Sequence, residues 1–121
     1  MSDVKGRFRR SLSRWASSDD AEAKELHSDT VKAGCCPIAE AADRAYVDIQ
    51  GSLRTVTLRP RGGVPALEAE LYDGTGVITL IWLGRRRIAG VEPGRLVRVE
   101  GRIGVQDKAR VIYNPRYELR S

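Results

Sequence analysis

Histidine and cysteine are nearly absent from this chain: its 121 residues hold one histidine, His27, and two cysteines, the adjacent pair Cys35-Cys36. A four-ligand metal site built from so few imidazoles and thiols would need carboxylates to complete it, so no metal or other cofactor is expected. Neighbouring cysteines strain the backbone when they bridge each other, which points to reduced thiols in a reducing compartment. The same scarcity argues against an enzyme: no serine or cysteine nucleophile has a histidine to serve it, and no Gly-Lys-Ser/Thr phosphate loop occurs. A continuous apolar run of about 18 residues is also missing, so no membrane span is expected. The first residues, Met1 to Phe8, lack the apolar core of a secretory signal, and the expectation is a cytoplasmic protein.

What the chain does have is arginine. The formal net charge is +5, and its distribution matters more than its size. Residues 1–44 hold eight Lys/Arg against eight Asp/Glu, whereas residues 45–121 hold thirteen against eight, so the whole excess belongs to the second part. A basic domain suggests a polyanionic partner, although a mildly basic surface also serves solubility.

The boundary at residue 44 is also one of secondary structure. Val4, Phe8, Leu12 and Trp15 form one apolar stripe among Lys5, Arg7, Arg9, Arg10 and Arg14, predicting a short basic amphipathic helix. Docking on its own domain is the commoner use of such a stripe; a partner or a membrane surface is the other. Asp19 with Glu22 resembles a capping box for a second, acidic helix running from Ala21 to Lys32 and ended by Gly34. Pro37 opens a short turn or helix through Ala42.

From Ala45 the pattern is strand. Val47, Ile49, Gly51 and Leu53 share one parity and Val56 and Leu58 the other, so the inward face switches near Arg54-Thr55 and a bulge is required there. A basic loop, Arg59 to Pro65, leads to a β-hairpin. Its strands are Leu67 to Tyr72 and Val77 to Leu83, joined by Asp73-Gly74-Thr75-Gly76, where Asp73-Gly74 is expected to supply positive φ. Residues 84–92 are too short for a substantial helix, and Glu92-Pro93-Gly94-Arg95 reads as a type II turn. A fourth strand alternates Val97, Val99, Gly101, Ile103 and Val105 with charged positions. After a turn at Gln106-Asp107-Lys108, a fifth runs from Ala109 to Leu119, with Val111, Tyr113, Tyr117 and Leu119 expected in the core. Asn114-Pro115 must interrupt its ladder, because Pro115 has no N–H. Five such strands with short charged loops fit a small closed barrel better than a sandwich.

The segment from Val47 to Leu119 resembles an OB-fold. The pieces that carry the likeness are Val-Asp-Ile-Gln-Gly-Ser-Leu in the first strand, Leu-Tyr-Asp-Gly-Thr-Gly-Val-Ile at the hairpin and Glu-Pro-Gly-Arg-Leu-Val-Arg-Val-Glu-Gly-Arg-Ile at the fourth strand. In this order they are similar to the OB domains of anticodon-binding synthetase modules and of the wedge of RecG-type helicases. The whole chain is also similar to small stand-alone actinobacterial OB-fold proteins, through Arg-Pro-Arg-Gly-Gly-Val-Pro, Trp82 to Arg86 and Tyr113 to Leu119. The resemblance implies a mainly β protein, a five-stranded Greek-key barrel over residues 45–121 with an N-terminal α-helical extension over residues 1–44. Many OB-folds insert a helix between strands three and four; residues 84–92 offer only a turn, so one of the N-terminal helices is expected to plug the barrel.

OB-folds bind oligonucleotides across the second and third strands, between the loop after strand one and the loop between strands four and five. Mapped onto this chain, the first loop offers Arg59 and Arg61, and the second offers Lys108 with Arg110 beyond it. Outward positions of the last two strands add Arg98, Arg102 and Arg116, and Arg85-Arg86-Arg87 is either a phosphate clamp or a solvated loop. Stacking platforms need aromatics, and only 6% of the residues are aromatic. Tyr72 faces out if Leu67, Ala69 and Leu71 face in. Trp82 closes the barrel if Ile78 and Leu80 face in, and is the best stacking residue if they do not. The reading is a nucleic-acid-binding protein, preferring single-stranded DNA or RNA with little sequence preference. The alternative is a protein-interaction module or homodimer using Val77, Ile81, the acidic second strand and the N-terminal helix.

Overall fold

A computed structural model describes residues 21–26 and 35–120; the predicted helix at residues 4–15 and the rest of the second helix lie outside the described residues. Residues 21–26 are helical, and a 3-10 turn spans Ile38–Glu40. Six strands follow: β1 (Tyr46–Leu58), β2 (Ala66–Tyr72), β3 (Val77–Leu83), β4 (Leu96–Gln106), β5 (Ala109–Tyr113) and β6 (Arg116–Arg120). The order β1-β2-β3-β5-β4 closes on itself through β1–β4 pairing, a ring whose only parallel contact is β3 with β5. This is the connectivity of the five-stranded Greek-key barrel.

β1 serves two neighbours. Its first half, Tyr46 to Ser52, pairs with β4, and its second, Ser52 to Leu58, with β2; the register shifts between Leu53 and Val56, where the sequence requires the face switch. The bend depends on Gly51, where a Cβ would run into the Tyr72 carbonyl. The core holds Val47, Ile49 and Leu53 of β1, Leu67, Ala69 and Leu71 of β2, Ile78, Leu80 and Trp82 of β3, and Val97, Val99 and Ile103 of β4.

The last strand departs from expectation. Asn114-Pro115 divides it in two, and the kink moves the inward parity by one residue. Before it, Ile112 is the core residue and Tyr113 is 41% exposed; after it, Tyr117 and Leu119 pair opposite Val99 and Val97, with Tyr117 still 41% exposed at the rim. Val105 is exposed as well, because β4 overshoots the last core layer, Ile103 opposite Ile112.

Among the described residues, segments without regular helix fill the barrel ends; the expected plug by an N-terminal helix concerns residues that lie mostly outside them. Ile38, from the 3-10 turn, lies in the core beside the start of β3, and Ile88 and Val91 enter it from the connection beyond the end of β3. Asp73 holds the first of these plugs. Its carboxylate, fully buried, accepts hydrogen bonds from the Thr75 and Gly76 N–H groups (2.8 and 3.1 Å) and from the Ile38 N–H (2.8 Å). Of the pair expected to supply positive φ, only Gly74 does so (φ 91°), and the helical residue Ala23 packs against the turn there.

Candidate nucleic-acid interface

The outer face of β2, β3 and β5 is flanked by two ordered hairpin tips. The loop after β1 folds into a tight ribbon: Arg61 and Val64 exchange both backbone hydrogen bonds (2.8 and 3.0 Å) around Gly62 and Gly63, both with positive φ. The ribbon continues the alternation of β1, so Thr57, Arg59 and Arg61 share the outer face with Glu68, Glu70 and Tyr72 of β2. Opposite, the β4–β5 hairpin turns through Asp107 and Lys108, both at positive φ, and leaves Lys108 exposed.

Between the tips lies a groove of about 200 Å³ lined by Arg61, Glu68, Thr79, Gln106, Asp107, Ala109 and Val111. Arg61 crosses it, one terminal nitrogen 3.4 Å from the Gln106 Oε1 and the other 3.5 Å from the Glu68 carboxylate. The Tyr113 hydroxyl donates to the same Gln106 oxygen. Val111, which lines the groove, forms a small outer apolar cluster with Ala66 and Ile81, with Ile81 fully buried.

The structure sorts the twelve sequence-derived candidates into groups. Arg61 lines the groove, Arg59 precedes it on the same outer face, and Lys108 is exposed at the opposite hairpin tip. Arg85, Arg86 and Arg87 are exposed and start one residue past Gly84, whose N–H donates to the Pro65 carbonyl at 2.7 Å, so this run is tied to the base of the Arg59–Arg61 ribbon. Tyr72 is half-buried on the outer face, and the Arg54 guanidinium lies 3.6 Å from its ring centroid, a cation–π contact. Trp82 faces the core: it is 5% exposed, donates Nε1–H to the Pro115 carbonyl at 3.1 Å and meets Tyr117 edge-on, so it offers no stacking surface.

The remaining arginines lie elsewhere. Arg98 and Arg102, on β4, and Arg116, on β6, point outward from the opposite side of the barrel. Arg98 is engaged by Asp48 through two short bonds, Nε to Oδ1 at 2.8 Å and Nη2 to Oδ2 at 2.6 Å, and this bonding holds the Asp48 carboxyl below its ordinary range. Beside it, burial and then the Asp48 charge push the Cys35 thiol up to about 11. With Arg116, Glu100, Tyr117 and Glu118, Arg98 lines a second groove of about 380 Å³ whose two cations face two carboxylates. Arg102 donates to the Arg44 carbonyl at 2.8 Å. Arg110 faces the barrel mouth, where it donates to the carbonyls of Ile38 (2.9 Å) and Ala41 (2.6 Å) and pairs with Asp43; it fastens the plug segment and does not rim the groove.

Sequence reasoning missed Arg54, Gln106 and Tyr113. The face switch at Arg54-Thr55 already signalled an outward Arg54; Tyr113 was hidden by the parity change at Pro115, and nothing local marked Gln106. Among the described residues no group of three or more His, Cys, Asp or Glu is placed to hold a metal, and no helix is long and apolar enough to cross a membrane.

No protein-family model matches the sequence, and no curated protein matches it. Solved structures do. The p204 HINb domain superposes with a TM-score of 0.58 at 16% identity, covering 74% of this chain and 49% of that one. The chain has an OB-fold. RecG bound to a three-way DNA junction matches this OB barrel with a TM-score of 0.53 at 21% identity, over 63% of this chain and 11% of RecG. The chain thus spans about half the length of the first relative and about a tenth of the second. At such identities the likeness is one of fold, and the outer-face geometry carries the rest.

Proposed function

We propose that this chain binds nucleic acid across the outer face of β2, β3 and β5, single strands in preference to duplex and with little sequence preference, as a binding module and not an enzyme. One observation carries the reading: the Gly84–Pro65 bond brings Arg85, Arg86 and Arg87 to the ribbon that presents Arg59 and Arg61, so five of the chain's cations gather at one end of the face an OB-fold uses. RecG, a fold neighbour, is seen bound to a DNA junction, which agrees with a nucleic-acid partner. Phosphates track such cations, while exposed Tyr113 and the Arg54–Tyr72 pair supply flat surfaces for bases. The two cysteines are free thiols, in keeping with a cytoplasmic setting. The dimer reading loses Ile81, which is buried in the outer cluster.

Fluorescence anisotropy of labelled single-stranded and duplex oligonucleotides at two salt concentrations tests this. Affinity should fall steeply with salt, and the Arg59→Ala/Arg61→Ala double variant should weaken binding about tenfold and flatten the logarithmic salt slope by about 1.4, or 0.7 per lost phosphate contact. Absent binding at low salt would refute the reading and return attention to a protein partner.

A further inference from the structure

The arginines of this barrel fall into two kinds by the quality of their hydrogen bonds. Arg98 makes two short bonds to one carboxylate, and Arg110 makes two bonds of 2.9 and 2.6 Å to backbone carbonyls that anchor a core segment. Both are held by the fold. Arg61 is different. Its two terminal contacts are long, 3.4 Å to Gln106 and 3.5 Å to Glu68; its Nε–H, like that of Arg110, is buried without a hydrogen-bond partner, so bond length is what separates the two. A guanidinium offers five donors in a rigid fork that fits phosphate oxygens at about 2.7–2.9 Å. Here that fork is stretched between two hairpin tips over the groove that the proposed ligand must enter.

We infer that Arg61 is an exchangeable latch: in the free chain it bridges the β1–β2 ribbon to Glu68 and Gln106 across the groove, and a bound strand takes it over through a phosphate. This rests on the nucleic-acid reading above and adds how its groove is regulated. Glu68 plays both parts of a competitor, accepting from Arg61 in the closed groove and repelling phosphate from the open one. Gln106 is the keeper on the far side, its Oε1 shared between Arg61 and the Tyr113 hydroxyl. Exchange leaves the Tyr113 hydroxyl on Gln106, and the exposed Tyr113 ring stands beside Ile81 on the face a base would cross. Long contacts make the closed state easy to leave, as a latch requires.

The consequence runs against the usual effect of trimming a binding groove, because removing residues that line it should tighten binding. With a labelled oligothymidylate of about a dozen nucleotides as probe, Glu68→Gln should raise affinity about five- to tenfold and Gln106→Ala about two- to threefold. Glu70→Gln is the control: it removes an equal charge from an exposed position two residues along the same face, one that makes no contact with Arg61, and should raise affinity about twofold or less. In an Arg61→Ala background the gain from Glu68→Gln should shrink to that of Glu70→Gln. Equal gains from the two substitutions, or a Glu68→Gln gain that persists without Arg61, would overturn the latch and leave nucleic-acid binding standing. No binding by the parent chain at low salt would overturn both.

Discussion

Arg98 and Asp48 lie on adjacent strands of the barrel's outer side, and the pair shows why a surface arginine is not automatically a ligand site. Two short bonds to one carboxylate already satisfy the fork, and Cys35 closes over the same carboxylate with its thiol 3.6 Å from Oδ1. The pair is about one-third exposed on each side, which keeps its contribution near about 1 kcal/mol. The sign of its pH dependence follows from the lowered Asp48 pKa. The stabilisation is fully present above the ordinary carboxylate range, near about pH 4, and is lost as pH falls through the lower value of the folded state. Arg98→Ala should therefore cost about 1 kcal/mol in urea unfolding at pH 7 and progressively less toward about pH 2, while leaving oligonucleotide affinity nearly unchanged. A loss of stability independent of pH would show that Arg98 acts through packing alone.

At the β4–β5 hairpin, local preference and structure disagree. Two-residue hairpin loops of type I′ need positive φ at both central positions, for which Asn-Gly is suited; this chain uses Asp107 (φ 51°) and Lys108 (φ 65°). Asp tolerates the conformation, whereas a lysine Cβ is crowded in it. Lys108→Gly should raise stability by about 0.5–1 kcal/mol, read as a melting temperature higher by about 3–5 °C. The lysine is exposed in the turn between Asp107 and Ala109, which line the groove, so the same variant should bind oligonucleotide more weakly, with a salt slope reduced by about 0.7. A more stable variant with unchanged binding would remove Lys108 from the interface. The contrasting element is the β2–β3 turn, where Asp73 spends its carboxylate on three N–H groups, one of them 35 residues away at Ile38.

Over the whole molecule, charge is segregated by topology. The ring places the outer faces of β2 and β3 on one side and that of β4 on the other, so arginines that alternate along the chain are separated in space. The Gly84–Pro65 bond ties the run Arg85, Arg86 and Arg87 to the ribbon of Arg59 and Arg61 on the first side; Arg98, Arg102 and Arg116 lie on the second, with Asp48, Glu100 and Glu118. Charge-reversal scanning should show this division: Arg86→Glu is expected to weaken oligonucleotide binding about tenfold, and Arg102→Glu or Arg116→Glu about twofold or less. Uniform effects around the barrel would indicate a diffuse field with no defined face.

Much of this was legible in the chain. Alternation along β1, β2 and β4, the bulge at Arg54-Thr55 and the turns at Asp73-Gly74 and Pro93-Gly94 marked five strand segments and a small closed barrel, because strand parity and turn chemistry are local properties; the OB order came from the resemblance carried between Val47 and Leu119. The inward face of Trp82 was one of two arrangements compatible with that pattern, and packing with Tyr117 and the Pro115 carbonyl decided it. Local rules could not carry parity across Asn114-Pro115, since a proline that breaks the ladder resets which side faces in. Nor could they say which arginines were already engaged. Arg61, Arg98 and Arg110 are the same residue type in similar strand contexts, yet one stretches over a groove, one is pinned to Asp48 and one fastens the plug. That difference depends on partners distant in sequence (Gln106, Asp48 and Ile38), which only closure of the barrel brings within reach.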